Sequence, residues 1–339
     1  MTALTRAACI GAGVIGAGWA ARLRLNGVDV VVADPDPEAP RKVAAVLDNA
    51  ERAMAKLTSA ALPAPGRVDF TGSPAEAAEG ADLIVESVPE RLEAKRAAYA
   101  EVEAAAAPEA ITASATSGIL PSELQAGMRH PERLLVAHPF NPVYLLPLVE
   151  LVGGRQTAPE TLARAEAIYA GLGMRPLRVR KEIEAFVADR LLEAVWREAL
   201  WLIHDGVATT GEVDDAIRFG FGLRWAQMGL FETYRIAGGE AGMRHFLAQF
   251  GPCLQWPWSK LTEVPELSED LVETIAAQSD EQSGDYSVRE LERLRDDNLV
   301  AILRALKDQD GGAGWGAGRL LRDYEATLRG PGDRREGGA

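Results

Sequence analysis

The chain of 339 residues is poor in cysteine and in uninterrupted apolar runs. Its two cysteines, Cys9 and Cys253, lack the C-x-x-C spacing of a zinc site, so neither a disulfide framework nor a metal site is indicated. No run reaches the roughly 18 apolar residues of a membrane span, and glycines interrupt the apolar stretch after Arg6, which makes a poor signal peptide. These absences favour a globular protein of the reducing cytoplasm.

Positive charge is also scarce. The chain has 36 Lys and Arg against 50 Asp and Glu, which gives a net charge of -14. A nucleic-acid or anionic-membrane partner needs clustered Lys and Arg, so neither kind of partner is expected. A small neutral or cationic substrate suits this balance better than a polyanion.

Up to about residue 180, short β-branched runs alternate with alanine-rich helical stretches. This alternation predicts an α/β domain, in which helices cross over a parallel sheet. The predicted strands are 7–10, 28–33, 68–70, 83–85, 111–114, 134–137, 148–152 and 176–179.

After Lys181 the strand pattern disappears. Apolar residues recur at helical spacing over 183–204, and Thr209 with Glu212 has the form of a capping box that starts the next helix. These patterns predict an all-helical C-terminal domain. The expected segments are an α/β domain over 1–180, a helical domain over 181–325 that builds the rest of the active site, and a flexible tail over 326–339.

A glycine fingerprint follows the first predicted strand directly. Gly11, Gly13 and Gly16 form G-x-G-x-x-G, and a helix begins at Val14 and Ile15. The three glycines allow a tight turn, a close approach of the backbone to pyrophosphate, and close packing of helix on strand. The helix N-terminus would bind the phosphates.

An acidic residue, Asp34, closes the second predicted strand, 23 residues after Gly11. Its carboxylate would accept hydrogen bonds from both hydroxyls of the adenosine ribose and would repel a 2′-phosphate. The expected cofactor is therefore NAD rather than NADP, although the glycine motif alone also permits FAD.

His138 is the best candidate for a general base among four histidines. It follows a predicted strand, at the sheet edge where ligands bind, and Glu150 in the next strand could orient its imidazole. Such a pair suits alcohol oxidation, because the histidine takes the hydroxyl proton and the carboxylate fixes its tautomer. A structural role for a single histidine is about equally common, and the other three look structural or solvated.

These residues resemble the 3-hydroxyacyl-CoA dehydrogenase superfamily over nearly the whole chain. The segments that carry the resemblance are 11–18, Ala115-Thr116-Ser117, His138-Pro139-Phe140-Asn141-Pro142 and Glu150. The resemblance implies a Rossmann-type domain followed by a helical dimerisation domain, and hence a homodimer. It also implies that His138 is the base and that Glu150 is its partner. Ser117 would donate a hydrogen bond to the substrate oxygen, and Asn141 would contact the substrate and the nicotinamide. Glu90 and Lys95 would contact the nicotinamide-side ribose.

One residue departs from the family pattern. The family usually has asparagine before Arg-Leu-Leu in the long helix, where this chain has Asp189. Asparagine can donate a hydrogen bond to a substrate carbonyl, whereas an ionised aspartate only accepts. The departure puts a thioester substrate in doubt.

Aromatic residues are concentrated between positions 218 and 259, in a protein that is only 6% aromatic. A helical core or a dimer interface is the ordinary explanation for each of them. Alternatively, two or three bind a quaternary ammonium group, at roughly 0.5 to 2 kcal/mol per contact. The candidates for that contact are Trp225, Phe231, Tyr234 and Phe140.

A narrower resemblance favours the second explanation. Residues 224–229, 237–242 and 256–258 resemble the members of the family that act on carnitine. The implied reaction is NAD-dependent oxidation of the 3-hydroxyl of L-carnitine to 3-dehydrocarnitine. Asn141, Lys181 and Arg224 all remain candidates for binding the substrate carboxylate.

Three alternatives share parts of this site. An L-gulonate 3-dehydrogenase of the lambda-crystallin type would need a pocket lined by hydroxyls and amides. A short-chain 3-hydroxyacyl-CoA dehydrogenase would need basic residues for the CoA phosphates. A non-catalytic nucleotide-binding protein is disfavoured because Ser117, His138 and Glu150 occur together.

Overall fold

The computed structural model describes residues 4–255, 257–260, 265–307, 309 and 316–330. Its described residues form two compact units. The first takes residues from Met1–Asp189, Arg293–Gln309 and Gly318–Ala339, and the second takes residues from Arg190–Glu292 and Asp310–Ala317. None of the described helices is both long enough and apolar enough to cross a bilayer.

The first unit is built on an eight-stranded sheet, which contains all eight predicted strands. Its order is β3-β2-β1-β4-β5-β6-β7-β8, the strand order of a Rossmann-type domain with additions at one edge. The strands are β1 Arg6–Ile10, β2 Asp29–Ala33, β3 Val68–Thr71, β4 Leu83–Glu86, β5 Ile111–Ser114, β6 Leu134–Pro139, β7 Leu148–Gly153 and β8 Arg175–Val179.

One pair of strands departs from the parallel arrangement expected from the sequence. β7 runs antiparallel to β6, whereas every other neighbouring pair is parallel. Only residues 140–147 join β6 to β7, which is too short for the crossover that a parallel pair needs. As a result β6 extends to Pro139, and His138 lies inside the strand, directly opposite Glu150.

Helices cover the sheet and continue into the second unit. They are α1 Val14–Leu25, α2 Ala39–Leu57, α3 Pro74–Ala78, α4 Leu92–Ala105, α5 Pro121–Leu124, α6 Pro159–Gly171, α7 Ala188–His204, α8 Thr210–Ala216, α9 Gly222–Ala237, α10 Gly242–Phe250, α11 Glu269–Ser283, α12 Val288–Lys307 and α13 Gly316–Arg329. The predicted capping box is confirmed, since Thr209 and Glu212 bond reciprocally at the start of α8.

The long helix predicted over 183–204 begins later, at Ala188. Ala185 and Phe186 adopt left-handed backbone conformations, with φ of 56° and 49°, which interrupt a right-handed helix. Phe186 is buried among Tyr99, Leu124 and other apolar residues beneath the sheet. Phe186 therefore combines a buried ring with a left-handed backbone conformation that few non-glycine residues adopt.

The core of the first unit lies between the sheet and its helices. Trp19 on α1 and Tyr169 on α6 are fully buried, with ring centroids 5.2 Å apart. A side chain at Gly18 would come within 3.0 Å of Val143, so glycine lets α1 pack closely against the connection after β6. This packing places the start of α1 against the carboxyl edge of the sheet.

The last two helices contribute buried residues to the first unit. Val300 and Leu303 of α12 and Leu321 and Tyr324 of α13 are buried. The sequence placed residues up to 325 in the helical domain. In the structure, α12 from Arg293 onward and α13 from Gly318 onward belong to the nucleotide-binding unit, where their apolar faces are buried. α13 also extends to Arg329, inside the segment predicted as a flexible tail, and residues 331–339 lie outside the described residues.

Candidate active site

The turn after β1 uses its three glycines in the three ways expected from the sequence. Gly11 has φ of 98°, and a Cβ there would lie 2.7 Å from the carbonyl oxygen of Ser87. A Cβ at Gly16 would lie 1.9 Å from the carbonyl oxygen of Gly11. At Gly13, by contrast, nothing lies within 4 Å of the Cβ position, which leaves the backbone open to a ligand.

Helix α1 begins with unpaired amides at this turn. Its N-cap residue is Gly13, which makes no side-chain cap. The amides of Val14 and Ile15 belong to the first turn and have no intrahelical carbonyl to bind. The partial positive charge of a helix N-terminus makes this a site for phosphate.

Asp34, just after β2, is held by two backbone amides. Its Oδ2 accepts from the amide of Ala12 at 2.7 Å, and its Oδ1 accepts from the amide of Asp36 at 2.8 Å. The residue lines a cavity of about 610 Å³ together with Gly11, Gly13 and other residues. Each oxygen keeps a lone pair for a ribose hydroxyl, so the residues present fit an adenosine dinucleotide.

Ser87 lines the same cavity and was not identified from the sequence. Its hydroxyl is buried and makes no hydrogen bond within the described part of the chain. A buried hydroxyl without a partner is costly, and a nucleotide in this cavity would supply one. The position directly after β4, at the carboxyl edge of the sheet, is the only signal for it in the sequence.

A buried ion network lies beside this cavity and centres on Glu86, at the end of β4. Glu86 and Lys95 are each 1% exposed, and their charged atoms are 2.9 Å apart. The other carboxylate oxygen of Glu86 accepts from the hydroxyls of Tyr99 and Ser114, both at 2.6 Å. Burial and the nearby Glu86 carboxylate raise the pKa of Tyr99 well above its usual value, so Tyr99 remains a donor.

Glu90 connects this network to the loop after β5. Its Oε2 lies 3.1 Å from the Lys95 ammonium, and its Oε1 accepts from the Thr116 hydroxyl and, at 3.2 Å, from the Ser117 amide. Partial burial raises the pKa of Glu90, but the Thr116 hydroxyl and Lys95 outweigh that effect and hold it below its usual value. The resemblance pointed to Glu90 and Lys95 as direct cofactor contacts. The structure adds that Lys95 fixes Glu90, and that Glu90 holds the backbone of Ser117.

His138 and Glu150 form a buried pair across β6 and β7. His138 Nδ1 lies 3.0 Å from Glu150 Oε2, and the two side chains are 6% and 0% exposed. Glu150 Oε1 accepts from the amides of Val187 and Ala188, both at 2.9 Å, at the start of α7. Burial raises the pKa of Glu150, but the hydrogen bonds from His138 and these amides hold it below its usual value.

This arrangement determines which imidazole nitrogen carries the proton. An ionised carboxylate only accepts, so Nδ1 of a neutral His138 carries the proton and Nε2 is left with a free lone pair. The rings of Phe140 and Phe186 lie 5.2 Å and 5.6 Å from the imidazole, measured between centroids. Aromatic rings therefore lie on two sides of the His138 imidazole, and Nε2 is its basic nitrogen.

The remaining predicted residues of the first unit lie near this pair in sequence or along the sheet edge. Ser117 follows β5, which is parallel to β6, and its side chain is exposed. Asn141 is exposed in the connection after β6, and Asp189 lies in the first turn of α7. Their placement agrees with a site at the carboxyl edge of β5 and β6.

The three aromatic candidates on α9 belong to the second unit. The ring of Trp225 lies 4.6 Å from that of Phe221, and Tyr234 stacks on Phe246 with ring centroids 4.6 Å apart. Phe231 is 73% exposed. Trp256, which the sequence placed in the same aromatic group, lies outside the described residues.

Two of the other histidines pair with acidic residues on the surface. His130 pairs with Glu132 on the surface at 3.2 Å, and His204 pairs with its neighbour Asp205 at 2.9 Å. No group of three or more potential metal ligands occurs among the described residues.

The glycine turn at the start of α1 and Asp34 after β2 form the arrangement of an NAD-binding domain, and the His138–Glu150 pair lies at the carboxyl edge of the same sheet. Residues 6–183 match the family model of the 3-hydroxyacyl-CoA dehydrogenase NAD binding domain, and residues 186–287 match that of the 3-hydroxyacyl-CoA dehydrogenase C-terminal domain. The chain belongs to this family.

Within this family, the chain is similar to enzymes that act on L-carnitine. The chain is 60% identical to L-carnitine dehydrogenase of Mesorhizobium japonicum, over 97% of this chain and 90% of that protein. It is 63% identical to L-carnitine dehydrogenase/betainyl-CoA thioesterase of Rhizobium meliloti, of which it spans only 66%. Among solved structures, the NAD+-dependent 5-formyl-3-hydroxy-2-methylpyridine 4-carboxylic acid 5-dehydrogenase is 30% identical, with a TM-score of 0.77, over 91% of this chain and 100% of that chain.

Proposed function

We propose that the protein oxidises the 3-hydroxyl of L-carnitine to 3-dehydrocarnitine with NAD. The observation that carries the chemistry is the buried contact of 3.0 Å between His138 and Glu150 at the carboxyl edge of the sheet. The similarity to L-carnitine dehydrogenases over 97% of the chain supports the choice of substrate.

His138 acts as the general base. Its Nε2 takes the proton of the substrate hydroxyl, while Glu150 accepts from Nδ1 and stabilises the imidazolium that forms. Bound NAD supplies the acceptor for the hydride that leaves C3, so that the C3–O bond becomes a carbonyl. Ser117 donates a hydrogen bond to the same oxygen, and Glu90 holds the backbone amide of Ser117 in place.

Aromatic side chains provide the contacts for the trimethylammonium group. Such a group cannot donate hydrogen bonds and is attracted to aromatic faces. Phe140 lies beside His138, and Trp225, Phe231 and Tyr234 are the further candidates. Phe246 covers one face of Tyr234, so only the other face could contact a cation. The net charge of -14 also favours a cationic substrate.

A substrate panel tests the proposal. Purified protein with NAD is given L-carnitine, L-gulonate, 3-hydroxybutyrate or 3-hydroxybutyryl-CoA, and NADH formation is followed by absorbance. L-carnitine should give the highest kcat/KM. Turnover of L-gulonate or of the CoA thioester without turnover of L-carnitine would refute the choice of substrate.

Two histidine variants test the base. His138→Ala should lose about 10² to 10⁴ of kcat and still bind NADH, because the glycine turn and Asp34 are unchanged. His130→Ala is the matched control, because His130 also pairs with a glutamate but on the surface. Equal kcat values for the two variants would show that His138 is not the base.

The functional form is proposed to be a homodimer. On α7, Leu191, Leu192 and Trp196 are 58%, 54% and 52% exposed, and a second copy of the chain would cover such side chains. Light scattering coupled to gel filtration should give twice the mass of one chain, and a mass of one chain would contradict the dimer. A cytoplasmic location stays a prediction from the sequence.

A further inference from the structure

The connection between β6 and β7, residues 140–147, is called the active-site loop here because it follows His138 directly. Phe140 is partly exposed and Asn141 is exposed, whereas Val143, Tyr144 and Leu145 are 0%, 5% and 3% exposed. The second half of the loop is thus anchored in the core, and its first half faces the solvent.

One anchor comes from α1. The guanidinium of Arg22 is buried and donates to the carbonyls of Val143 at 2.7 Å and Leu146 at 3.2 Å, and to that of Leu172 at 2.9 Å. Burial lowers the pKa of Arg22 to about 10, so it is charged at neutral pH and its donors are strong. The loop backbone is thus fixed at Val143 and Leu146 to α1, the helix that follows the glycine turn.

The other anchor comes from α12. The hydroxyl of Tyr144 donates to Oδ2 of Asp296 at 2.7 Å, and Asp296 is 0% exposed. Arg295 donates to Oδ1 of the same carboxylate at 2.9 Å and 3.0 Å. A fully buried carboxylate is tolerated only with strong partners, so the Tyr144 hydroxyl is held in one position.

This second anchor lies outside the part of the chain that the family describes. The match to the family's C-terminal domain ends at residue 287, and α12 begins at Val288. Asp296 and Tyr144 nevertheless belong to the same compact unit, 152 positions apart. Helix α12 therefore reaches the loop that carries two of the proposed substrate contacts.

We propose that Asp296 is a positioning residue for the oxidation reaction, which acts through Tyr144 on the active-site loop. The inference rests on the proposed function, because Phe140 and Asn141 matter only if they contact the substrate. An error of about 1 Å in such contacts can cost about 10²-fold in rate. Asp296 thus sets catalytic efficiency without touching the substrate or cofactor.

Two matched substitutions separate positioning from a general loss of stability. Tyr144→Phe removes the hydroxyl that binds Asp296 and keeps the buried ring. Tyr324→Phe is the control, since its hydroxyl makes one hydrogen bond of 2.8 Å from α13 to Asn26, at the C-terminal end of α1. Tyr144→Phe should lower kcat/KM for L-carnitine about tenfold or more. KM for NAD should stay unchanged, and Tyr324→Phe should leave both constants near those of the wild type.

Hydrogen exchange gives a readout that does not depend on activity. The amides of residues 140–147 should exchange faster in Tyr144→Phe than in the wild type, and at the wild-type rate in Tyr324→Phe. Asp296→Ala, which removes the acceptor of the Tyr144 hydroxyl, should reproduce both effects of Tyr144→Phe, and the double variant should be no worse than Asp296→Ala alone.

The inference is overturned if Tyr144→Phe matches Tyr324→Phe in kinetics or in loop exchange, or if the two loop variants have additive effects. A wild-type protein that does not oxidise L-carnitine refutes the proposed function instead. In that case the kinetic comparison uses the panel substrate that is turned over. If the panel contains no substrate, the role of Asp296 in the oxidation is refuted together with the proposed function, and loop exchange then shows only whether Asp296 holds the loop.

Discussion

The substitution Glu150→Gln tests the geometry of the His–Glu pair most directly. Glutamine has the shape of glutamate, and its carbonyl oxygen can still accept from the amides of Val187 and Ala188. Its amide nitrogen would then face His138 and donate to Nδ1, because that position is 3.0 Å away. The imidazole would carry its proton on Nε2 and could no longer take one from the substrate.

The expected loss follows from the role of the base. General acid–base catalysis contributes about 10² to 10⁴ in rate, which corresponds to about 2.7 to 5.4 kcal/mol at 1.36 kcal/mol per tenfold. The loss should fall on kcat, because the wrong tautomer affects proton transfer more than binding. The affinity for NADH should be unchanged, because the turn at Gly11 and the carboxylate of Asp34 are untouched.

The assay is NADH formation at saturating NAD and substrate, with NADH affinity measured by fluorescence titration. Glu132→Gln is the matched control, because it alters the exposed pair of Glu132 with His130. A kcat for Glu150→Gln within about fivefold of the wild type would refute the tautomer argument. An equal fall in the control variant would refute it as well.

Three further substitutions test other parts of the molecule. Asp34→Ser removes the carboxylate that would repel a 2′-phosphate, so the ratio of kcat/KM for NAD to that for NADP should fall about tenfold or more; an unchanged ratio would contradict the role. Glu86→Gln should lower the free energy of unfolding in urea by about 1 to 3 kcal/mol, because Lys95 stays buried and loses one of its two carboxylate partners, and adding Lys95→Met should recover part of the loss. Burial raises the pKa of Glu325, but hydrogen bonds from Ser59 and Lys307 hold it below its usual value. The stabilisation by Glu325 is therefore complete above about pH 4.3 and is lost as pH falls through the lowered pKa, so Glu325→Gln should lower Tm at neutral pH, by an amount that shrinks on acidification.

Local patterns predicted the parts of the fold that depend on neighbouring residues. The eight strands follow from short apolar runs, several of them rich in β-branched residues, and the turn at Gly11 follows from glycine spacing. His138 and Glu150 could be proposed as partners because they lie in consecutive strands. Their antiparallel register, which places them directly opposite each other, follows from the length of the connection rather than from either residue.

Contacts between distant segments could not be predicted in this way. The start of α7 was predicted five residues too early, because the left-handed conformation at Ala185 and Phe186 depends on a buried site for the ring of Phe186. Glu86 was not identified from the sequence, because its buried partner Lys95 comes beside it only when α4 packs against the sheet. Asp296 is one acidic residue in a charged helix until Tyr144 is seen beside it.

Three acidic residues predicted from the sequence are held in the same way, each by two backbone amides. Asp34 accepts from the amides of 12 and 36, Glu90 from those of 117 and 118, and Glu150 from those of 187 and 188. Backbone amides stabilise the ionised form of a carboxylate, and an ionised carboxylate can only accept. Asp34 therefore suits ribose hydroxyls and excludes phosphate, whereas Glu150 requires the proton of its imidazole partner on Nδ1. Residue identity alone predicted where the carboxylates are, but the amide pairs determine the direction of each hydrogen bond, and that direction leaves His138 with a basic Nε2.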